Sequence, residues 1–441
     1  LWKLDMRKRE PSVAARIGAN GRHLQLADGG KELFILGANG LTKMGVKSEK
    51  TTPVTYSATM TLDPAAERAY MFQHVKREIQ NRFYEKNLHG VDWNALTDEY
   101  TRFLPHIDNN YDFSEMLSEL LGELNVSHTG SRYYPRSSGE STASLGLLYD
   151  WNYAGPGLRV AEIVEGGPFD HANTMLRSGA IVKSINRTPV TADIDFASLL
   201  ADLSGKKTLV EFTLPEGGDA IEEVVMPIST SKMNQLLYRR WVRQRAADVD
   251  SLSGGRLGYV HLPQMDDAAF RQIYIDLLGK YVDREGVVID TRFNGGGRLH
   301  EDIEVLFSGD KYLTQVIRGQ DICDMPSRRW NKPSIMLQCE SNYSNAHGTP
   351  WVYKYKKLGK LVGAPVPGTM TSVNWETLQD PSLIYGIPVI GYRTAEGNYL
   401  ENSQLEPDIL ILNDPARIVK GEDQQLKAAV DALLRQIDAK K

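Results

Sequence analysis

The sequence is short of cysteine, of histidine and of long apolar runs, and it carries no marked excess of one charge. Its two cysteines, Cys323 and Cys339, lie in neither a CxxC motif nor a histidine-rich spacing. Two free thiols and no zinc site are therefore expected. No apolar run approaches the roughly 20 residues that a membrane-spanning helix needs. We therefore expect no membrane insertion.

Length and charge limit the function further. The formal net charge of −5 over 441 residues gives no basic footprint for nucleic acid or for an anionic membrane. A chain of this length is expected to form two or three domains. It begins with Leu1-Trp2 rather than methionine, and these residues are not a signal peptide. A fragment of a longer protein is expected; the cytoplasm is favoured, with the periplasm as the alternative if a signal peptide was removed.

Hydrophobic periodicity divides the chain into blocks and predicts a multidomain α+β and α/β fold. Residues 1–60 alternate apolar and polar residues between turns such as Gly37-Ala38-Asn39-Gly40, which predicts β-hairpins. Residues 61–133 have apolar residues at helical spacing and predict a helical domain. The polar run 131–142 is interpreted as a linker.

The second half of the chain has two different patterns. Residues 140–228 contain short strands and Gly/Pro turns, which predict a small β-rich domain. Residues 230–441 alternate helices and strands, which predicts an α/β domain whose mostly parallel sheet is covered on both faces. A strand at 387–391 is assigned to this last domain.

Two strands of the last domain end in loops that suggest chemistry. Val287–Phe293 runs into Asn294-Gly295-Gly296-Gly297, where glycines allow a sharp turn and leave backbone N–H groups free for an anion or oxyanion. The strand 334–337 ends in a loop that holds Ser344, and a helix is expected over 350–358. A serine at a strand–turn–helix junction has the position of a nucleophile. Ser344 is the candidate nucleophile.

A serine nucleophile needs a base, and the chain offers only nine histidines. His128 lies at a predicted helix exit beside Ser127. His300 follows the glycine loop, and His347 lies three residues beyond Ser344 on the same turn, where it is expected to point away. The residues alone leave His128 and His300 open.

Several motifs in this order resemble a known family. Val126-Ser127-His128-Thr129-Gly130, Gly258–Pro263 and Val288–Gly297 resemble the tricorn core proteases, within the tail-specific (C-terminal-processing) serine peptidase family. Ser144–Leu147 and Leu176–Asn186 resemble a PDZ domain. The resemblance implies a ClpP/crotonase-like peptidase core for 230–441, a PDZ-like domain for 140–228, and a remnant of an upstream β-propeller for 1–60.

The resemblance also implies roles for individual residues. Ser344 would be the nucleophile and His128 the base, with Ser127 and Glu401 orienting the histidine. The backbone N–H groups of Gly297 and Asn345 would form the oxyanion hole. The loop of Leu145, Gly146 and Leu147 would bind a peptide carboxylate. Asn345-Ala346 stands where tricorn usually has an acidic residue and a glycine, so the electrostatics beside Ser344 should differ.

The implied function is a serine peptidase that hydrolyses peptides or unfolded protein segments through an acyl-enzyme. It would need no cofactor and no metal, and it would form a homo-oligomer such as a hexamer. Two alternatives stay open. One is a Ser–Lys peptidase in which Lys357 or Lys360 replaces His128, and the other is a catalytically silent, PDZ-containing peptide-binding scaffold.

Overall fold

The computed structural model describes residues 1–17, 21–37, 40–135 and 139–439. The chain forms two compact units, Leu1–Pro64 and Ala65–Lys441. Every residue of the predicted catalytic set lies in the second unit.

The first unit consists of antiparallel hairpins, as the turn glycines predict. β1 (Trp2–Asp5) pairs with β2 (Glu10–Val13). A separate four-stranded antiparallel sheet has the order β3-β4-β5-β6. Its strands are β3 (Gly21–Leu26), β4 (Glu32–Gly37), β5 (Gly40–Gly45) and β6 (Thr51–Val54). The predicted turn at 37–40 includes residues 38 and 39, which lie outside the described residues.

The second unit begins with three helices whose apolar faces share one core. They are α1 (Pro64–Arg82), α2 (Trp93–Thr101) and α3 (Asn110–Gly122). Asp92 and Asn109 cap α2 and α3 by accepting backbone N–H groups of the first turn. The expectation of a linker over 131–142 is wrong at its start, because β7 (Ser131–Tyr133) pairs with a strand from far along the chain. Residues 136–138 of that run lie outside the described residues.

The next block is β-rich and has its own apolar core. Its strands are β8 (Ala143–Ser144), β9 (Leu147–Tyr149), β10 (Leu158–Ile163), β11 (Ile181–Ile185), β12 (Thr188–Pro189), β13 (Thr208–Thr213), β14 (Ile221–Val225) and β15 (Ile228–Ser229). The antiparallel sheet has the order β14-β13-β11-β10-β9, with β12 beside β11, so β9 is an edge strand. The PDZ-like assignment of this block stays a prediction.

The last block contains the predicted parallel sheet. Its elements are α4 (Thr230–Ser253), β16 (Leu257–His261), α5 (Asp267–Ile275), β17 (Gly286–Asp290), α6 (His300–Phe307), β18 (Leu313–Ile317), β19 (Gln320–Met325), β20 (Ser334–Gln338), α7 (Asn345–Tyr355), β21 (Lys360–Gly363), β22 (Thr371–Thr377), β23 (Leu383–Gly391), β24 (Ile409–Leu410), α8 (Pro415–Ile418) and α9 (Gln424–Asp438). Strands β16, β17, β20, β21 and β24 pair in that order, and every pair is parallel.

Alternate residues of the central strand β17 face two different cores, as a sheet covered on both faces requires. Val287 and Ile289 pack in the core that includes side chains of α5, α6 and α7. Val288 packs in the core that includes side chains of α4 and α9. The α/β architecture predicted for this block is therefore present.

One hairpin of the last block belongs to another core. β22 and β23 pair with each other and β23 pairs with β7, which makes a three-stranded antiparallel sheet. Leu383, Tyr385 and Ile387 of β23 pack among the helices α1 and α3. The strand expected at 387–391 thus lies outside the parallel sheet. The pairing of β23 with β7 brings the segment after α3 close to the two ends of the hairpin. The candidate site lies where this segment meets the hairpin.

Candidate active site

Ser344 lies between β20 and α7, and α7 begins at Asn345 rather than at the predicted residue 350. Pro350 suggests a helix start because it lacks the N–H that would bond to Ala346 four residues earlier. In the structure the Asn342 amide donates to that carbonyl at 3.2 Å. The helix can therefore run through Pro350, and Ser344 stands directly at its N-terminus.

The backbone at Ser344 is strained. Its φ of 57° and ψ of −125° are unusual for a residue with a side chain. The Ser344 N–H donates to Thr369 Oγ1 at 3.0 Å, and the preceding Tyr343 N–H donates to the Asn294 carbonyl at 3.0 Å. A sharp strand–turn–helix connection of this kind presents a nucleophilic hydroxyl above a sheet.

The glycine loop after β17 lies against this turn. A Cβ on Gly296 would stand 2.6 Å from Ser344 Cβ, and one on Gly297 would stand 2.1 Å from the Met265 carbonyl oxygen. Both residues also have positive φ values, 96° and 141°. Among the hydrogen bonds between described residues, none uses the N–H of Gly297 or of Asn345. Two free donors therefore lie on segments that meet at Ser344.

His128 is held by a cluster of oxygen atoms on its Nδ1 side. Ser127 Oγ lies 2.9 Å and Thr371 Oγ1 3.1 Å from Nδ1. The Ser127 hydroxyl donates to Glu401 Oε2 at 3.0 Å, and the Ser127 N–H donates to Glu401 Oε1 at 2.6 Å. Ser127 comes from the segment after α3, whereas Thr371 and Glu401 flank the hairpin β22–β23, so distant parts of the chain meet here.

The hydrogen bonds of the Ser127 and Thr371 hydroxyls favour the tautomer of His128 that carries its proton on Nδ1. The single hydroxyl proton of Ser127 goes to the Glu401 carboxylate, which can only accept when it is ionised. The Thr371 hydroxyl has the Ser127 carbonyl as an acceptor at 3.4 Å. Both hydroxyl oxygens can then accept the Nδ1 proton of His128. This leaves Nε2 unprotonated, as a general base requires.

Burial changes the acidity of both ionisable groups. It lowers the pKa of His128 to about 4, because the imidazolium loses solvation. It raises the pKa of Glu401, whose side chain is only 6% exposed, although hydrogen bonds from Ser127 and Met370 oppose that shift. The histidine is therefore kept neutral over the usual range of pH.

Tyr343 connects the two halves of the site. Its hydroxyl accepts the His128 N–H at 2.8 Å, and the two rings lie 4.7 Å apart. It directly precedes Ser344, so the histidine and the serine loop share this contact. No hydrogen bond joins Ser344 Oγ to the His128 ring among the described residues.

The other candidate bases have different environments. His300 Nδ1 is engaged by the Asn345 amide at 2.7 Å. His347 is fully buried, neither ring nitrogen has a hydrogen-bond partner among the described residues, and burial lowers its pKa to about 4. It is excluded from solvent.

The lysines of the Ser–Lys alternative lie at the far end of the same elements. Lys357 follows α7, whose 11 residues span about 16 Å from Ser344 at the opposite terminus. Lys360 pairs with Ile335 at the start of the parallel strands β20 and β21, whereas Ser344 follows the end of β20. Neither lysine is brought to Ser344.

The predicted carboxylate-binding loop is mostly enclosed. The side chains of Leu145 and Leu147 are buried in the core of the β-rich block, and the Gly146 N–H donates to Ser144 Oγ at 3.1 Å. A Cβ on Gly146 would approach Pro168. Any peptide carboxylate would have to use backbone groups here.

The sequence pattern did not indicate three contacts of the site, those made by Tyr343, Thr369 and Thr371. Their side chains meet the site through contacts between residues more than 20 positions apart. The only local signal was their place beside predicted functional segments. Cys323 and Cys339 are free thiols, as predicted. Within the described part of the chain we find no group of three His, Cys, Asp or Glu side chains that could hold a metal ion.

Two segments match protein-family models. Residues 256–411 match Peptidase family S41, and residues 64–122 match the Tricorn protease C1 domain. The chain is 26% identical over 443 residues to Tricorn protease homolog 1 of Streptomyces coelicolor, covering 96% of this chain and 41% of that protein. It is 23% identical over 381 residues to the Tricorn protease of Thermoplasma acidophilum, covering 83% of this chain and 34% of that protein.

The fold is also similar to that of a solved tricorn structure. The crystal structure of the tricorn protease matches with a TM-score of 0.85 and 18% identity, over 99% of this chain and 43% of that one. The chain therefore contains a segment of peptidase family S41, at 256–411, and is similar to tricorn proteases over most of its length. This tricorn-like chain spans between a third and a half of the length of these relatives. In its described residues, no helix is long and apolar enough to cross a membrane.

Proposed function

We propose that this tricorn-like chain is a serine peptidase that hydrolyses peptides or unfolded segments of proteins. Ser344 is the nucleophile and His128 the general base. Ser127 and Glu401 orient the base, and the N–H groups of Gly297 and Asn345 bind the oxyanion. The observation that carries the proposal is the convergence of Ser127, Thr371 and Glu401 on the Nδ1 side of His128, with Tyr343 linking His128 to the strained Ser344 turn.

The chemistry follows from these positions. Ser344 Oγ attacks the peptide carbonyl carbon while its proton passes to His128 Nε2. The carbonyl oxygen becomes an oxyanion between the two backbone donors. The imidazolium then gives its proton to the amine that leaves, and an acyl-enzyme remains. Water repeats the sequence, with His128 again as the base, and releases the acid and the free serine.

A pair of serine variants in one loop tests the assignment. Ser344→Ala should abolish peptide hydrolysis and labelling by a fluorophosphonate, because it removes the hydroxyl that attacks. Ser341→Ala, in the same loop, should keep both. Circular dichroism would establish that the two variants fold alike, and turnover by Ser344→Ala would reject the assignment.

The two alternatives make different predictions. A Ser–Lys peptidase would stay active in a His128→Ala variant and lose activity in a Lys357→Ala or Lys360→Ala variant, and the positions of both lysines oppose it. A silent scaffold would bind peptides but never react with a fluorophosphonate. The strained backbone of Ser344 favours the enzyme, since such strain is concentrated at functional sites.

We also propose that the β-rich block captures peptides by adding a strand at the edge strand β9. The loop of Leu145, Gly146 and Leu147 would then receive the terminal carboxylate through backbone N–H groups. Fluorescence anisotropy with labelled peptides tests this. A peptide with a free C-terminus should bind more tightly than its amidated form, and equal binding would reject a carboxylate site.

A homo-oligomer such as a hexamer is proposed as the assembly. The hairpin of β18 and β19 pairs with no other strand among the described residues, and it exposes Leu313, Val316, Ile317 and Ile322. A two-stranded ribbon with exposed apolar side chains is marginal in water by itself, so a second copy would cover it. Analytical ultracentrifugation of a Val316→Lys/Ile317→Lys variant should show smaller species than the wild type, with Val419→Lys as the exposed control.

A further inference from the structure

The side chain of Asn345 ties together the two segments that carry the proposed oxyanion donors. Its Oδ1 accepts the N–H of Leu299 at 2.8 Å and the N–H of His300 at 3.0 Å. Leu299 is two residues beyond Gly297, the donor on the glycine loop. The other donor is the backbone N–H of Asn345 itself. One side chain therefore sets the spacing between both donors.

These bonds also complete a helix terminus that lacks a cap of its own. Leu299 stands at the N-cap position of α6, and its side chain makes no capping hydrogen bond. The side-chain oxygen Oδ1 of Asn345, the first residue of α7, accepts two of the N–H groups that α6 leaves open. The N-termini of the two helices are thus joined at the point where the proposed oxyanion would lie.

His300 fixes which way the Asn345 amide faces. Asn345 Nδ2 donates to His300 Nδ1 at 2.7 Å. A rotated amide would put its NH2 group against the N–H groups of Leu299 and His300, and its oxygen against the lone pair of Nδ1. Because Asn345 is 4% exposed, solvent offers little compensation for that arrangement.

We infer that His300 and Asn345 form a positioning clamp for the oxyanion hole. The inference rests on the proposed function. It assigns His300 a role other than the general base, because its Nδ1 lone pair is already used by the amide and the neutral ring then carries its proton on Nε2. It also gives a reason for asparagine, rather than an acid, directly after Ser344: an ionised carboxylate accepts both N–H groups but has no proton for Nδ1.

Three substitutions separate the parts of the clamp. His300→Ala removes the acceptor for the amide, and His300→Asn supplies a side-chain oxygen at the place of Nδ1. Asn345→Asp keeps the acceptor for both N–H groups, loses the donor to Nδ1 and adds a negative charge beside the oxyanion. His171→Ala, at an exposed position of the β-rich block, is the histidine control.

The clamp acts on the transition state, so the readout is the division of the effect between kcat and KM. In His300→Ala and Asn345→Asp, kcat for peptide hydrolysis should fall at least about 10-fold with KM unchanged, and by no more than the roughly 10²–10³-fold loss known for a missing oxyanion donor. His300→Asn should recover most of kcat. Unchanged kcat in His300→Ala, or no recovery in His300→Asn, would overturn the clamp.

A second readout does not depend on activity. Amide hydrogen exchange at Leu299 should speed up in His300→Ala and stay at the wild-type rate in His171→Ala. Unchanged exchange in His300→Ala overturns the clamp whatever the kinetics show. A wild-type chain that never reacts with a fluorophosphonate would overturn the proposed function instead, and the exchange rates would still decide whether the amide is held.

Discussion

At the scale of single residues, the proposed base His128 is defined by what surrounds its Nδ1 atom. Ser127 and Thr371 both place hydroxyl oxygens within 3.1 Å of it, and Glu401 takes the proton of the Ser127 hydroxyl. A carboxylate thus acts on the histidine through a serine rather than by direct contact. The second hydroxyl gives the Nδ1 proton an additional acceptor.

Removing that second hydroxyl should slow the reaction without weakening substrate binding. Thr371→Val keeps the shape of this buried side chain and loses one hydrogen bond to the base. We expect kcat to fall about 10-fold, the value of roughly 1.4 kcal/mol, with KM unchanged. Steady-state kinetics measure both. Thr101→Val, which loses a hydroxyl bond to the Thr97 carbonyl on α2, is the control and should have no effect.

The pH dependence of kcat/KM should reflect the pKa shifts that burial causes in His128 and Glu401. As pH falls, Glu401 protonates first, because its pKa is raised above 4.5 while that of His128 is lowered to about 4. Each protonation removes activity, so kcat/KM should decline at low pH. Protonation of Glu401 should set the pH at which the decline begins. In Glu401→Gln only the histidine remains, and the decline should move to a midpoint of about 4.

The control for this profile is the wild-type enzyme in the same buffers. A midpoint near 6.5 in Glu401→Gln, the ordinary value for histidine, would show that the base is not desolvated. An unchanged profile would show that Glu401 does not titrate in the active range.

At the scale of elements, the glycine loop and the start of α7 form one packed unit. Gly296 and Gly295 are neighbours with different surroundings: a Cβ on Gly296 meets Ser344 at 2.6 Å, whereas one on Gly295 meets only the end of Gln264 at 3.7 Å. Gly296→Ala should therefore displace the nucleophile and lower kcat at least about 100-fold, in the range of a lost oxyanion contact. Gly295→Ala should stay within a factor of two or so. Equal activity in both variants would contradict this packing.

A buried ion network fastens the end of β17 to α9. Arg292, just beyond β17, is paired with Asp290 and with Asp423, which also caps α9 by accepting the Leu426 N–H at 3.0 Å. Asp423→Ala would leave the buried guanidinium with one carboxylate partner, Asp290, and remove the cap. Urea unfolding should show a loss of about 3–5 kcal/mol. Asp431→Ala, which breaks the more exposed pair with Lys427 on the same helix, should cost under about 1 kcal/mol.

Local pattern was enough to predict β17 and β20, because a short apolar run that ends in turn residues is typical of a buried strand. It failed at α7 because Pro350 suggested a start, and the compensating bond from Asn342 is not visible in the spacing of residues. It also could not place the hairpin β22–β23, whose partners are the helices α1 and α3. Contacts between distant residues decided both cases.

At the scale of the whole molecule, contacts between distant residues also limited how much of the site could be predicted. The glycine loop and Ser344 could be found because they follow buried strands. His128 was one of two candidate bases from the residues alone, and the roles of Ser127 and Glu401 came only through a resemblance to a family. Thr371 and Tyr343 were missed, since their contacts depend on how the helical block meets the last block. The pairing of Asn345 with His300 was missed because these residues lie 45 positions apart in the chain. These contacts lie within the single compact unit Ala65–Lys441.

The most direct test of the proposed function is mass spectrometry of the chain after reaction with a fluorophosphonate, followed by mapping of the adduct. One adduct per chain on Ser344, lost in Ser344→Ala and greatly slowed in His128→Ala, is the predicted result. An adduct on another residue, or none under conditions that fully label a control serine peptidase, would contradict the assignment of Ser344 and His128 as nucleophile and base.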